Sequence, residues 1–200
     1  GSAAIPFLHP YTGSASSSSY QTSATTRLPN PPSLVPHKQM RFLIMDAPSE
    51  TNLQLYIKEM EKYNVSDIVR VCDPSYSREA VERHGIKLHE LIFPDGDAPP
   101  ESVIVYWLNL VETRFGHIRD ASGQDESSSP DVTIAIHCVA GLGRAPVLVA
   151  IALIESGMSP FDAITFIRER RRGAINTRQL KFLETYKRRG SASDTKCCIM

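Results

Sequence analysis

The chain has little with which to cross-link itself. Its 200 residues hold four cysteines, Cys72, Cys138, Cys197 and Cys198, with no Cys-x-x-Cys spacing among them. That excludes a disulfide framework, suggests neither metal nor cofactor, and fits free thiols in a reducing cytosol. No apolar run approaches the roughly 18 residues of a membrane span; the longest runs from Pro146 to Ile154. A charged-then-apolar secretory signal is also missing. Residues 1–40 contain no acid at all, and their only charges are Arg27 and Lys38. Eight Ser, four Thr, six Pro and two Gly make up half of that stretch. Such a segment buries too little apolar surface to offset its ordering entropy, so residues 1–39 are expected to be a disordered extension.

The zero net charge conceals an asymmetry. From Arg168 to Met200 there are ten Lys/Arg and three acids, which leaves the rest of the chain equally negative. A basic end on an acidic body points to an anionic partner. The basic run lacks the interleaved aromatics of a nucleic-acid reader, so a membrane surface is the better fit.

Between residues 40 and 189, β-like and helix-like runs alternate. "RFLIM" (41–45), "DIVRVC" (67–72), "IKLHELIF" (86–93) and "VTIAIH" (132–137) read as strands. Ser49 and Asn52 are candidate caps of a helix with Leu53, Ile57 and Met60 at helical spacing, and that spacing recurs at 77–83, 101–115, 144–156, 159–171 and 177–189, with Ser159 as N-cap and Pro160 at N1. Residues 119–131 read as a polar loop. The pattern predicts a single α/β domain over 40–189, with a central, mostly parallel sheet of four to five strands flanked by helices. Residues 190–200 are expected to be a flexible basic tail.

"HCVAGLGRAP" (137–146) joins the last of these strands to a helix. A Gly-containing turn opening a helix is an anion site, because unsatisfied N–H groups and the helix dipole both favour negative charge. Gly141 and Gly143 let successive N–H groups from Val139, Ala140 and Leu142 onward point inward as a nest. The planar fork of Arg144 can meet two anionic oxygens. Cys138 sits at the start of the nest, where the same field favours a thiolate aimed at a bound phosphoryl group. His137 either hydrogen-bonds the loop and fixes its shape or ends the strand with no chemical role. A lone cysteine is most simply a buried strand-end thiol, and the Cys-x5-Arg spacing argues against that. Arsenate-reductase-like and sulfurtransferase-like proteins share the spacing. A phosphatase also needs a general acid on a loop that can close over the substrate. "FPDGDAPP" (93–100) supplies Asp95 and Asp97; as a plain turn, its Asp residues would serve only the backbone.

"MRFLI", "VRVC", "DGDAPP", "HCVAGLGRAPVLVA", "FIRERRRGAIN" and the terminal "CCIM" together resemble the phosphatase of regenerating liver family, the prenylated protein tyrosine phosphatases of type IVA, from about Met40 to Met200. The resemblance implies the tyrosine/dual-specificity phosphatase fold and a cysteinyl-phosphate mechanism acting on phosphotyrosine-containing proteins. It makes Cys138 the nucleophile, Arg144 the phosphate clamp and Val139–Gly143 the cradle. Asp95 becomes the general acid, with Asp97 second because this loop is one residue longer than the family's. Cys72 matches the cysteine that forms a reversible disulfide with the nucleophile, and Asp73 an acid facing the site. Ala145 stands where most tyrosine phosphatases carry Ser or Thr, which implies slow release of phosphate from the cysteine. Apolar Val139, Ala140 and Leu142 offer no cation to a polyphosphorylated lipid and favour phosphoprotein.

The resemblance also implies binding to CBS-domain regulators of magnesium transport, governed by the state of the nucleophile, and a homo-trimer. "CCIM" fits a prenylation motif with Cys197 as acceptor and Cys198 as spacer. One lipid plus the basic tail would hold the protein on the cytoplasmic face of plasma membrane and endomembranes; without the lipid it would be cytoplasmic.

Overall fold

The computed structural model describes residues 27–119 and 131–189. Five strands form one sheet, β1 (Ser33–His37), β2 (Met40–Met45), β3 (Val65–Arg70), β4 (Lys87–Glu90) and β5 (Thr133–His137), in the order β1-β2-β5-β3-β4. β2, β5, β3 and β4 run parallel, and β1 joins antiparallel at the edge. The mostly parallel α/β sheet read from the sequence is the one observed. β5 is central and buried along its whole length, which is why it reads as an uninterrupted apolar run rather than an alternating one.

Side-chain alternation sorts the core into two layers. Phe42, Ile44, Val69, Ile134 and Ile136 face one side and pack with α3 (Glu101–Phe115), α4 (Arg144–Glu155), α5 (Pro160–Arg170) and α6 (Thr177–Glu184). Leu43, Met45, Ile68 and Ala135 face the other side and pack with α1 (Leu53–Lys62) and α2 (Arg78–Glu82). The period of two along each strand produces this division. α4 is buried on every side, and the Trp107 indole N–H of α3 donates to its Leu148 carbonyl at 2.6 Å. A helix apolar all round belongs in the centre of a fold.

Three expectations need correction. Residues 33–39 are not part of a disordered extension: β1 pairs with β2 at five positions and buries Val35 completely. Pro36 is compatible with this because an edge strand needs no N–H on its open side; residues 1–26 lie outside the described residues. Helix α6 stops at Glu184 instead of 189. Beyond it, tertiary bonds replace helical ones: Tyr186 Oη donates to Glu155, the Arg189 N–H donates to the same carboxylate, and Arg188 donates to the Ile154 and Met158 carbonyls. Asn52 precedes α1, but its side chain accepts from Ser49 N–H at 2.7 Å and closes a turn rather than capping the helix. Ser159 does cap α5, accepting from Asp162 N–H. The tail 190–200 and most of the loop 119–131 lie outside the described residues. Among the described residues, no helix is long and apolar enough to cross a membrane.

A buried polar cluster fastens β3 to β4 and α3. Asp67 is fully buried, 2.7 Å from His89 Nε2, and accepts from Arg114 Nε at 2.5 Å and Nη2 at 3.0 Å and from Ser66 Oγ at 2.6 Å. Burial alone would raise the Asp67 pKa; the bonds from His89, Arg114 and Ser66 outweigh it and hold the carboxyl well below the usual carboxylate range. A carboxylate with a depressed folded pKa stabilises the protein above its ordinary pKa, and that contribution fades as pH falls through the folded value. Asp67→Asn should therefore cost about 3 kcal/mol at pH 7. Denaturant melts taken at falling pH should show the gap to the parent protein closing below about pH 4.

Candidate active site

The C-terminal end of a central parallel strand is where α/β sheets bind ligands, and β5 delivers the loop 138–143 to that end, directly before α4. Every carbonyl of this loop is turned outward and held. The Cys138 carbonyl lies 3.0 Å from His137 Nδ1. The Val139 carbonyl accepts from Ala47 N–H at 2.8 Å, Leu142 from Ile175 N–H at 2.7 Å and Gly143 from Val147 N–H at 3.1 Å. Arg171 serves the two in between: its Nη2 donates to Ala140 O at 3.1 Å and its Nε to Gly141 O at 2.8 Å. The same guanidinium reaches Ile44 O, Ser33 Oγ and the Asp46 carboxylate. With the carbonyls fixed outward, the N–H groups of the loop face the concave side. None of those from Val139 to Arg144 donates to another atom among the described residues.

Gly141 has φ +65, and a Cβ there would lie 2.6 Å from both the Arg171 guanidinium and the Met45 carbonyl. Only glycine lets the brace approach this closely. Gly143 is less constrained, since a Cβ there would meet the Gln179 amide at 3.0 Å.

Cys138, Val139, Ala140, Leu142, Gly143 and Arg144 line a cleft of about 350 Å3 that is completed by Asp95, Gly173, Asn176 and Gln179. Arg144 is buried; its Nη1 donates to the Val71 and Phe93 carbonyls at 3.3 and 3.1 Å. Its buried Nε has no hydrogen-bond partner. Asp95 Oδ1 lies 3.7 Å from that Nε and its side chain is 80 % exposed. Asp97 turns away, 3.8 Å from Arg178, into an adjoining cavity of about 200 Å3. Cys72 is a free buried thiol whose pKa burial pushes up, against the pull of Arg144. Its sulfur is 3.8 Å from His137 Nδ1. Burial lowers the His137 pKa to about 4, so the ring is neutral at pH 7. Ala145 is fully buried behind the loop, while Asp73 is exposed. Cys197 and Cys198 lie outside the described residues. Among the described residues, no three His, Cys, Asp or Glu side chains gather as metal ligands would.

No family model matches the chain. It is, however, 49% identical over 179 residues to the protein tyrosine phosphatase type IVA A of Dictyostelium discoideum, a match covering 90% of this chain and 99% of that one. The chain belongs to the protein tyrosine phosphatase type IVA family. Human protein tyrosine phosphatase type IVA 3 is 45% identical over 173 residues, covering 83% of this chain and 94% of its own. A solved protein tyrosine phosphatase from Leishmania major superposes with a TM-score of 0.67 at 43% identity, over 78% of this chain and 99% of that one. This type IVA chain is thus a protein tyrosine phosphatase, with the fold of the tyrosine and dual-specificity enzymes.

The structure brings Asp95, Cys138 and Arg144 to one cleft and leaves Asp97 out of it. It adds residues that the sequence reading missed. Asn176 and Gln179 form a reciprocal capping box at the start of α6, which an Asn-x-x-Gln spacing signals in sequence. Arg171 carries no such signal inside "RERRRG". Its planar fork serves five acceptors at once, where the ammonium of a lysine has three donors on a single atom. Arg171→Lys should release the Ala140 and Gly141 carbonyls and weaken inhibition by vanadate about tenfold or more, measured by competition against an aryl phosphate.

Proposed function

We propose that this phosphatase hydrolyses phosphotyrosine in proteins through a cysteinyl phosphate on Cys138, with Arg144 clamping the phosphoryl group and Asp95 protonating the leaving phenol. The observation that carries this reading is the cradle itself: inward N–H groups beside a thiol, with Arg144 lining the same cleft. Donors fixed before the reaction stabilise the spread charge of a transferring phosphoryl group without reorganisation. In the first half-reaction the Cys138 thiolate attacks phosphorus, the P–O bond to the phenol breaks, and Asp95 gives the oxygen its proton. In the second, water attacks phosphorus, the Asp95 carboxylate takes a proton from that water, the S–P bond breaks, and the Cys138 thiolate leaves as inorganic phosphate is released. Asp95 is favoured over Asp97 by its place in the cleft and its 3.7 Å approach to Arg144.

Buried Ala145 gives the departing thiolate no hydroxyl hydrogen bond, so the second half-reaction is the slow one. The rim of the cleft offers apolar Val139, 64 % exposed, and Leu142, 37 % exposed, which suits a protein surface better than an inositol polyphosphate. A long-lived phosphocysteine beside an apolar rim also supports a second reading: a binding module for CBS-domain magnesium-transport regulators whose affinity follows the state of Cys138. Oxidation of Cys72 and Cys138 to a disulfide by a peroxide, which takes up the two electrons and two protons and leaves as water or alcohol, would switch both activities off, and reduction by a cellular dithiol would restore them. Prenylation at Cys197, assisted by the basic tail, would place the enzyme on the cytoplasmic face of membranes, where the family's homo-trimer would assemble.

Quenched reactions with a small aryl phosphate should trap phosphate on Cys138, and Cys138→Ser should trap none. Ala145→Ser should raise steady-state turnover about tenfold and lower the trapped fraction; unchanged values for both would refute slow thiolate departure. In cells, Cys197→Ser should move the protein from membranes to the cytoplasm, and retention on membranes would refute the lipid anchor.

A further inference from the structure

We propose that Asp97 and Arg178 are positioning residues for this reaction: their ion pair ties the turn that carries Asp95 to α6 and keeps Asp95 over the cleft once substrate has taken Arg144. The inference rests on the reading of Asp95 as the general acid.

The turn has few ties of its own. Asp97 N–H donates to the Pro94 carbonyl at 3.2 Å, which closes residues 94–97 into one tight unit. Two carboxylates leave this unit in different directions. Asp95 Oδ1 lies 3.7 Å from Arg144 Nε in the cleft, and Asp97 Oδ1 lies 3.8 Å from Arg178 Nη2 outside it. Among the described residues these are the only polar links from residues 94–98 to the rest of the fold.

Beneath the turn is space. The cavity of about 200 Å3 is lined by Gly96, Asp97 and Ala98 of the turn and by Val147, Gln179 and Phe182 of α4 and α6. Phe93 and Pro99 are buried and fix the two ends of the segment, while its exposed tip spans the gap.

The two links have different fates during catalysis. Arg144 clamps the phosphoryl group, so an arriving phosphate competes with Asp95 for the guanidinium. Asp95 must also carry a proton to act as an acid, and in that form it makes no ion pair. Both events remove its link to Arg144. Arg178 is not among the residues lining the catalytic cleft, so the link through Asp97 persists when the other is gone. Its anchor is firm: the neighbouring Gln179 is 4 % exposed and closes the capping box with Asn176 at the start of α6. Both partners of the pair are exposed, which makes it a minor contributor to stability. Restricting the swing of one short turn requires no more. Asp97 and Arg178 thus act through Asp95 and touch no reacting atom.

Arg178→Gln should lower kcat/KM for phenyl phosphate about threefold and leave kcat/KM for dinitrophenyl phosphate unchanged, because only the poor leaving group needs its proton from the acid. Asp97→Asn should show the same pattern. Equal losses on both substrates would mean that Arg178 merely attracts the anion or supports the fold, and would overturn the proposal, as would no loss on either. Asp97→Arg and Arg178→Asp each set like charges face to face and should lose more. Combined, they restore the pair with its charges exchanged and should recover activity on phenyl phosphate; a double variant no better than the single ones overturns the tie. Asp95→Asn keeps the two readings apart. If it does not harm phenyl phosphate hydrolysis more than dinitrophenyl phosphate hydrolysis, the assignment of the acid fails and the proposal with it. If it does and Arg178→Gln does not, only the role of the ion pair fails.

Discussion

The site depends on one constraint: six consecutive carbonyls, from Cys138 to Gly143, must all face away from the ligand. A loop cannot present a row of N–H groups on one side without disposing of its oxygens on the other. Here the oxygens are taken by donors from α4, from the segments after β2 and α5, and from a histidine on β5 itself. Arg171 is the centre of this arrangement. It lies just past the end of α5, where the chain has left helical geometry. From there it reaches the loop, the end of β2, Asp46 and edge strand β1 with a single guanidinium. That approach requires glycine at 141, since any side chain would occupy the place of the guanidinium.

Much of this was legible in the sequence, for definite reasons. The buried strands carry apolar, β-branched runs, and the helix over 101–115 falls where its apolar positions and the preceding Pro100 put it. The anion loop is local: strand, glycines and arginine stand within a few residues, so their spacing alone exposes the chemistry. What stayed hidden is what the fold brings together from afar. Arg171 is thirty residues from the carbonyl it braces, and in a basic run its charge looks like any other. Tyr76 reaches His137 across a separation of 61 residues. β1 was misread because composition weighs Ser and Pro heavily and does not register that one buried valine beside β2 suffices to recruit an edge strand. The choice between Asp95 and Asp97 likewise turns on direction, which spacing does not encode.

The far end of α4 shows the converse of the anion loop. There the carbonyls of Ile154, Ser156 and Met158 collect Arg188 and Lys38, cations placed where the helix dipole is negative. Glu155, with a fully buried side chain at that unfavourable end, is tolerated because Arg119, Tyr186 and the Arg189 N–H all donate to it. The two ends of one helix are thus electrically complementary, with backbone donors facing a ligand at one and side-chain donors facing backbone at the other.

That α4 is enclosed on every side has a consequence for how binding energy is used. Segments buried this way are the last to open in native-state fluctuations. The loop is slung between β5 and α4, both buried throughout, so an arriving anion spends little of its affinity on ordering the groups that receive it. Asp95, by contrast, rides on a solvent-exposed Gly/Pro turn. Across one cleft the molecule thus sets a fully braced loop against a freely exposed carboxylate.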